Sequence, residues 1–302
     1  MDLKSKIILI YGPTASGKTE FAVKLAKKIK GEIINADSMQ VYKDLKVLSA
    51  RPLKKDMHCI KHHIYGTLEA KKDYSTGDWL KTVIKKIKLI KKKNKTPILV
   101  GGTGLYFKSL IEGLVEIPKI SKKNRNQIRI LQKKIGQKKF FEKLIKIDSL
   151  ANIKIKSTDV QRSIRAYEVK LFTKKSIYDW YRETKSKFKN KDFIKLYIDF
   201  PRSELVERIN LRVKKMLELG AIQEVNKFLK LRVPSNKSIT NAIGITEIKN
   251  LIKNKLSKEQ AIEKISIKTR QYAKRQVTWA RGNMKNWKKI KPKNLNKFLK
   301  KI

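Results

Sequence analysis

One cysteine, Cys59, is all the chain contains, so no disulfide framework exists and a reducing compartment is expected. No stretch stays apolar long enough to span a bilayer. The opening MDLKSKIILIYG has only a few apolar residues before a glycine turn, unlike a secretory leader, so a cytoplasmic protein without membrane association is expected. His58, Cys59, His62 and His63 place ligand types within six residues, but no second cluster completes a tetrahedral zinc site, and a structural loop is expected there. Internal repeats and long low-complexity linkers are also absent. Acid is scarce: 26 Asp and Glu stand against 75 Lys and Arg, a formal net charge of +49. That excess points to a polyanionic partner, nucleic acid first. Because most of it is Lys alongside abundant Ile and Asn, a solvated Lys-rich surface accounts for much of the charge, and individual Arg residues on helices discriminate better.

What is present suffices for a core. The 302 residues are 40% hydrophobic, enough for one large α/β domain or a core carrying a smaller insertion. Residues 6–11 (KIILIY) read as a buried strand ended by Gly12-Pro13, followed by a helix with apolar positions at Phe21, Ala22, Leu25, Ala26 and Ile29 that Gly31 closes. Further strands are predicted at 32–35, 97–100 and 195–200. Strands alternating with helices imply a P-loop NTPase-like parallel sheet flanked by helices, with ligands at the strands' carboxyl ends, where Asp37 and Thr103 fall. From 117 to 191 strand signals vanish and apolar residues recur at helical spacing over 128–147 and 160–172. The expected organisation is a core of 1–116 and 192–302 with an all-helical insertion at 117–191. Helices are expected over 204–231 and 258–281, and the last twenty residues read as a solvated Lys/Asn-rich tail.

Gly12-Pro13-Thr14-Ala15-Ser16-Gly17-Lys18-Thr19 fits G-x-x-x-x-G-K-[ST] between a strand and a helix. Glycines allow a nest of backbone N–H groups that faces an anion, and the helix adds its positive end. Lys18 neutralises phosphate oxygens, and Thr19 offers a hydroxyl to Mg²⁺, the expected cofactor. An ordinary glycine turn would not need the Lys-Thr pair. The cradle alone does not choose among kinases, NTPases and transferases with a diphosphate leaving group.

Asp37-Ser38-Met39-Gln40-Val41-Tyr42 after one strand and Gly101-Gly102-Thr103-Gly104-Leu105-Tyr106 after another resemble the tRNA dimethylallyltransferases, also called tRNA isopentenyltransferases. The resemblance extends through Gln161-Arg162-Ser163-Ile164-Arg165-Ala166-Tyr167-Glu168-Val169, RINLRVKKML at 208–217 and TRQYAKRQVTWARG at 269–282, five separated motifs in the family's order. It implies transfer of dimethylallyl from dimethylallyl diphosphate to N6 of the adenosine beside the 3′ end of a tRNA anticodon. An exocyclic adenine amine is a poor nucleophile, so a carboxylate that takes its proton helps, and Asp37 is the candidate base. An isolated Asp-Ser after a strand would otherwise read as an Asx turn or N-cap. The departing diphosphate gains charge that Lys18, Thr19 with Mg²⁺ and Arg212 would stabilise. Arg208, four residues before Arg212, would share its helix face; without the resemblance Arg212 reads as a surface charge.

The same resemblance implies tRNA contacts at Asp37, Ser38, Met39, Gln40, Thr103 and Arg125, and on Gln161, Arg162, Ser163, Ile164 and Arg165. For Thr103 a capping hydroxyl is the competing role. Arg270, Lys274 and Arg281 share a helical face beside Gln271 and Gln276, an interleaving of amides with Arg that suits RNA. An anticodon loop suits a reaction at a base edge because its bases are unpaired. A monomer is expected. A zinc-finger extension like that of some relatives is not expected. Two positions depart from the family's pattern: Leu48 stands where glycine is usual, which bears on the loop near Asp37, and Ile245 stands where an aromatic is usual, which bears on a stacking contact with RNA. The competing functions are a P-loop small-molecule or nucleoside kinase, with Asp37 deprotonating a hydroxyl, and a non-catalytic RNA-binding protein with a vestigial P-loop.

Overall fold

The computed structural model describes residues 3 and 5–300. They form two compact units: one runs to Ile111 and resumes at Phe188, and the other is Glu112–Lys187. The first is built on strands β1 (Ile7–Tyr11), β2 (Gly31–Asn35), β3 (His62–His63), β4 (Thr96–Gly101), β5 (Phe193–Ile198) and β6 (Lys288–Ile290), all parallel, in the order β3-β2-β4-β1-β5-β6. Helices α1 (Lys18–Ile29), α2 (Lys54–Met57), α3 (Thr76–Lys92) and α4 (Gly104–Glu112) come first. The second unit holds α5 (Lys122–Ile147), α6 (Ser149–Lys154), α7 (Val160–Thr173) and α8 (Ile177–Arg182). Then follow α9 (Arg202–Glu218), α10 (Ala221–Lys230), α11 (Ile245–Ile252), α12 (Lys258–Asn283) and α13 (Leu295–Lys300).

A continuous apolar run makes β1 a central strand because both faces of a parallel sheet are covered. Ile7, Leu9 and Tyr11 enter one core with Trp79, Phe107, Ile209 and Ala273 from α3, α4, α9 and α12. Ile8 and Ile10 enter the other with Phe21, Ala22, Leu25 and Ala26 of α1. Over residues 283–300 the chain differs from the solvated tail expected: β6 pairs with β5, and Phe298 of α13 lies 5.9 Å from the Phe21 ring. The Lys-rich composition hides this, because only a few apolar side chains face inward while the lysines between them stay in water.

Gly31 does not close α1. Lys30 takes the left-handed turn at φ 53, and Gly31 starts β2, where a Cβ would meet Ile98 Cδ1 at 2.7 Å and Thr96 O at 3.0 Å. The left-handed turn costs a side chain about 1–2 kcal/mol, less than breaking the strand contact. His62 and His63 likewise lie in a short strand rather than a loop, and His63 Nε2 meets the buried Glu32 carboxylate at 2.7 Å, with Lys95 Nζ on the other oxygen at 2.9 Å. The helical stretch over 204–231 breaks at Gly220, φ 93, between α9 and α10.

The second unit packs α5 against α7. Ile128 and Phe140 meet Ile164, and Phe141 and Leu144 meet Ala166 and Val169. Gly136, φ 76, kinks α5 into two arms.

A Cβ added to Gly101 would lie 2.0 Å from Ala36 O and 2.1 Å from its carbonyl carbon, both backbone that cannot rotate away. Gly101→Ala is expected to cost about 2 kcal/mol or more, seen as a lower urea midpoint. Gly282→Ala, at a helix position with nothing within 4 Å, should leave that midpoint no lower.

Candidate active site

The carboxyl ends of β1, β2 and β4 open onto one edge of the sheet. Past Tyr11 the chain turns through Ala15, φ 63, and Gly17, φ 78, before α1 begins at Lys18. Gly17 caps α1 without a side chain, so the first-turn N–H groups remain for an anion. The hydroxyl of Ser16, 1% exposed, has no partner inside this loop. Lys18 Nζ donates to Pro13 O at 3.2 Å.

Two guanidiniums from one face of α9 cross the loop. Arg208 Nε donates to Ala15 O at 2.9 Å, and Arg212 Nη1 donates to Thr14 Oγ1 at 3.1 Å. Burial, with Arg212 beside it, lowers the Lys18 ammonium to about 8 even though the Asp37 carboxylate opposes the shift. Burial also lowers Arg212, again against Asp37. Asp37 therefore lies within electrostatic reach of both cradle cations.

Asp37 is held by its own turn. Its N–H donates to Asn35 Oδ1 at 2.8 Å, and its Oδ1 accepts from Met39 N at 2.9 Å, the Asx geometry that competed with a base role. That turn engages only one carboxylate oxygen. Asn35 Nδ2 also donates to the carbonyls of Asp37 and Ile64. Thr103 N donates to Ala36 O at 3.2 Å, and its Oγ1 accepts from Ser38 N at 3.0 Å. Thr103 thus ties the loops after β2 and β4 together. Gln40 Nε2 donates to Ser49 and Ala50 carbonyls, so its amide braces the loop, and Met39 packs on the core.

The loop is anchored from α10. Glu224 accepts from Lys46 N and Val47 N at 2.6 and 2.8 Å on Oε1 and from Leu48 N at 2.8 Å on Oε2. Charge-assisted bonds of this kind contribute about 1.5–3 kcal/mol each. Leu48 is buried against Gly244, where a Cβ would fall 2.5 Å from Leu48 Cδ1, and Ile245 is buried in the same core. The two departures from the family pattern therefore share one core, and Ile245 faces that core.

Gln276, which the sequence suggested for RNA, is 5% exposed and sits between loops. Its Oε1 accepts from Thr14 N, and its Nε2 donates to Gly102 O, both at 2.9 Å. Tyr272, one turn earlier, lies beside Thr103 and Gln276; burial raises its phenol, with Asp37 adding to the shift. On the outer side of α12, Lys274 and Arg281 are exposed and Arg270 is partly so.

In the second unit Gln161 and Arg162 are exposed at the start of α7. Ser163 and Ile164 turn inward: Ser163 Oγ donates to Asp159 O at 2.7 Å, and Ile164 packs on Ile128 and Phe140. Arg165 Nη1 and Arg125 Nε approach the same oxygen of buried Glu168, at 3.2 and 3.4 Å, which fixes both guanidiniums. Sequence reasoning passed over Tyr178 and Tyr181. Their rings meet edge to face at 5.9 Å, and Tyr181, 51% exposed, feels the charges of Arg165 and Arg162. Two tyrosines three apart on a helix beside an Arg pair could have signalled this.

Among the described residues no group of three or more His, Cys, Asp or Glu could hold a metal, and no helix is long and apolar enough to cross a membrane. An anion in the cradle would raise Lys18 again, so binding takes up a proton above pH 8. Affinity for inorganic diphosphate should fall by up to about tenfold per pH unit above that point relative to Lys18→Arg, which keeps its charge, in calorimetric titrations from pH 7 to 9.5.

A family model described as IPP transferase matches residues 40–283, beginning just past the P-loop and Asp37. A tRNA dimethylallyltransferase of Pelagibacter ubique (strain HTCC1062) is 57% identical over 302 residues, covering 100% of this chain and 96% of that one. One from Rhizobium etli (strain CIAT 652) is 40% identical over 94% of this chain and 97% of its own. A tRNA isopentenylpyrophosphate transferase from Staphylococcus epidermidis superimposes with TM-score 0.68 at 34% identity, covering 98% and 96% of the two chains. A eukaryotic dimethylallyltransferase acting on tRNA gives TM-score 0.79 at 29% identity, covering 91% of this chain and 69% of that one. The chain therefore belongs to the IPP transferase family and is an enzyme of the tRNA dimethylallyltransferase type.

Proposed function

We propose that the chain transfers dimethylallyl from dimethylallyl diphosphate to N6 of the adenosine 3′-adjacent to a tRNA anticodon, with Asp37 as general base. The observation that carries this is Asp37 held at the same sheet edge as Lys18 and Arg212, close enough for their charges to interact. The allylic C–O bond breaks and the N6–C bond forms. The amine's proton passes to Asp37, and the diphosphate departs with the bonding electrons. Lys18, Arg212 and the first-turn N–H groups of α1 meet the charge that develops on the leaving oxygens. Nothing in this needs a hydrolysed nucleotide, which separates the reading from a kinase.

The donor set fits Mg²⁺ held chiefly by its substrate. Thr19 supplies a hydroxyl, the described residues hold no carboxylate cage, and Mg²⁺ commonly takes few protein ligands with phosphate and water completing its shell. Bound there by Thr19, it would neutralise diphosphate charge.

RNA binding is supported by two basic faces, each with a neighbouring π or amide partner. One is the outer side of α12, with Lys274 and Arg281. The other is the Gln161, Arg162 and Arg165 face, with Tyr181 offering a ring on which an unpaired base can stack.

Label from dimethylallyl diphosphate should enter total tRNA with Mg²⁺ and without ATP, and digestion should return it on N6 of adenosine. Asp37→Asn should stay folded and lose about 10²-fold or more in turnover; near-normal turnover would remove Asp37 from the base role. No entry of the prenyl label, with the γ-phosphate of ATP passing to an acceptor hydroxyl instead, would favour the kinase. Affinity for tRNA should weaken steeply with salt, by a slope that Arg162→Ala reduces, while Tyr181→Ala should weaken binding by about tenfold with the slope unchanged.

A further inference from the structure

Given the prenyl transfer proposed above, on which this rests, we propose that Gln276 is a positioning residue that sets the spacing between the diphosphate cradle and the loop that holds the amine. β1 and β4 are adjacent strands, and their ladder ends at the pair Tyr11 and Gly101. The cradle starts at the next residue of one strand, and the Thr103 loop starts at the next residue of the other. Past that pair the ladder no longer fixes their separation. The Gln276 side chain supplies the missing rung, with its oxygen on Thr14 N–H and its nitrogen on the Gly102 carbonyl, each at 2.9 Å.

Contacts on either side carry the spacing outward. Thr14, held through its N–H, receives Arg212 on its hydroxyl at 3.1 Å. Thr103, next to Gly102, holds Ser38 N at 3.0 Å, directly after Asp37. Tyr11, at the end of β1, donates its hydroxyl to the Gln276 main-chain carbonyl at 2.9 Å, which fixes the backbone from which the amide projects. The Tyr272 phenol lies beside the same side chain and Thr103. The fit is tight, since a Cβ on Gly102 would fall 2.1 Å from Gln276 Nε2.

The task calls for an amide. One loop presents a donor and the other an acceptor, so the bridging group must accept and donate at a fixed separation. Glutamate keeps the acceptor for Thr14 but sets an oxygen against the Gly102 carbonyl. Methionine of similar length offers neither bond. Displacement at carbon with the nucleophile held opposite the leaving oxygen is sensitive to spacing, and a shift near 1 Å can cost about 10²-fold in rate.

The test uses the full chain, labelled dimethylallyl diphosphate and tRNA, with thermal unfolding in parallel. Gln276→Met should lose about 10²-fold in kcat, and Gln276→Glu about tenfold or more at pH 8. KM for either substrate and affinity for inorganic diphosphate should change by less than about threefold, because the group touches neither reacting partner. The activity of Gln276→Glu relative to wild type should recover as pH falls and the carboxyl regains a proton to donate to Gly102. A folded Gln276→Met with wild-type kcat overturns the proposal, as does a Gln276→Glu ratio flat across pH. Should Gln276→Met not fold, the pH ratio decides alone. A wild-type protein that transfers no prenyl group overturns the reading beneath it and this assignment with it.

Discussion

Cations crowded around a glycine turn are the constraint from which this active site follows. Two like charges 4 Å apart repel by about 4 kcal/mol at an effective dielectric near 20. Lys18, Arg208 and Arg212 are nevertheless gathered at one loop, tied to Pro13, Ala15 and Thr14. Burial is the main reason the Lys18 ammonium is lowered to about 8, and Arg212 adds to it. In the proposed reaction a diphosphate would relieve that crowding and return part of the free energy stored in assembling the cradle. Asp37 is the counterweight: its carboxylate opposes the lowering at both Lys18 and Arg212 while remaining outside the loop, where a nucleophile can reach it.

Placing three basic groups and one acid so closely requires stiff supports, and these come from distant sequence. α9 holds the arginines, Glu224 of α10 gathers three backbone donors of the loop beyond Asp37, and Gln276 of α12 spans the cradle and the Thr103 loop. The carboxyl edge of a parallel sheet favours this division of labour. The ladder fixes the strands, the loops are free to differ, and helices returning from later in the chain set them.

What was legible in the sequence follows the same line. The sheet's central strands could be read because full burial demands unbroken apolar runs, as in residues 7–11. Strands β3 and β6 could not, because two or three residues at a sheet edge carry no period, and Lys288-Lys289-Ile290 reads as solvated chain. The P-loop was visible from local spacing alone, whereas spacing gave Arg208 and Arg212 only a shared helix face, and their place at the cradle came from the resemblance. Gln276 was visible as a residue but misplaced, because an amide among arginines suits RNA and a loop brace equally well, and only burial separates them. Ser163 and Ile164 illustrate the converse: a contiguous motif on a helix divides between faces, so its outward members, Gln161, Arg162 and Arg165, differ in environment from the inward pair.

The arrangement also explains why a P-loop alone says so little about chemistry. Its backbone and Lys18 recognise only that phosphates are present. The reaction is selected by what stands at the mouth of the adjacent strand, here a carboxylate whose turn engages one oxygen through Met39 N–H. A carboxylate in that position serves any acceptor that must lose a proton, an amine or a hydroxyl alike. Discrimination therefore shifts to whatever holds the acceptor, and the basic side chains proposed for RNA, Lys274 and Arg281 on one unit and, separately, the arginines beside Tyr181 on the other, suit an unpaired stretch of RNA better than a small molecule. On the proposed reading specificity and chemistry are carried by different residues, and α12 would join them, since its inner side bears Gln276 and Tyr272 and its outer side bears Lys274 and Arg281.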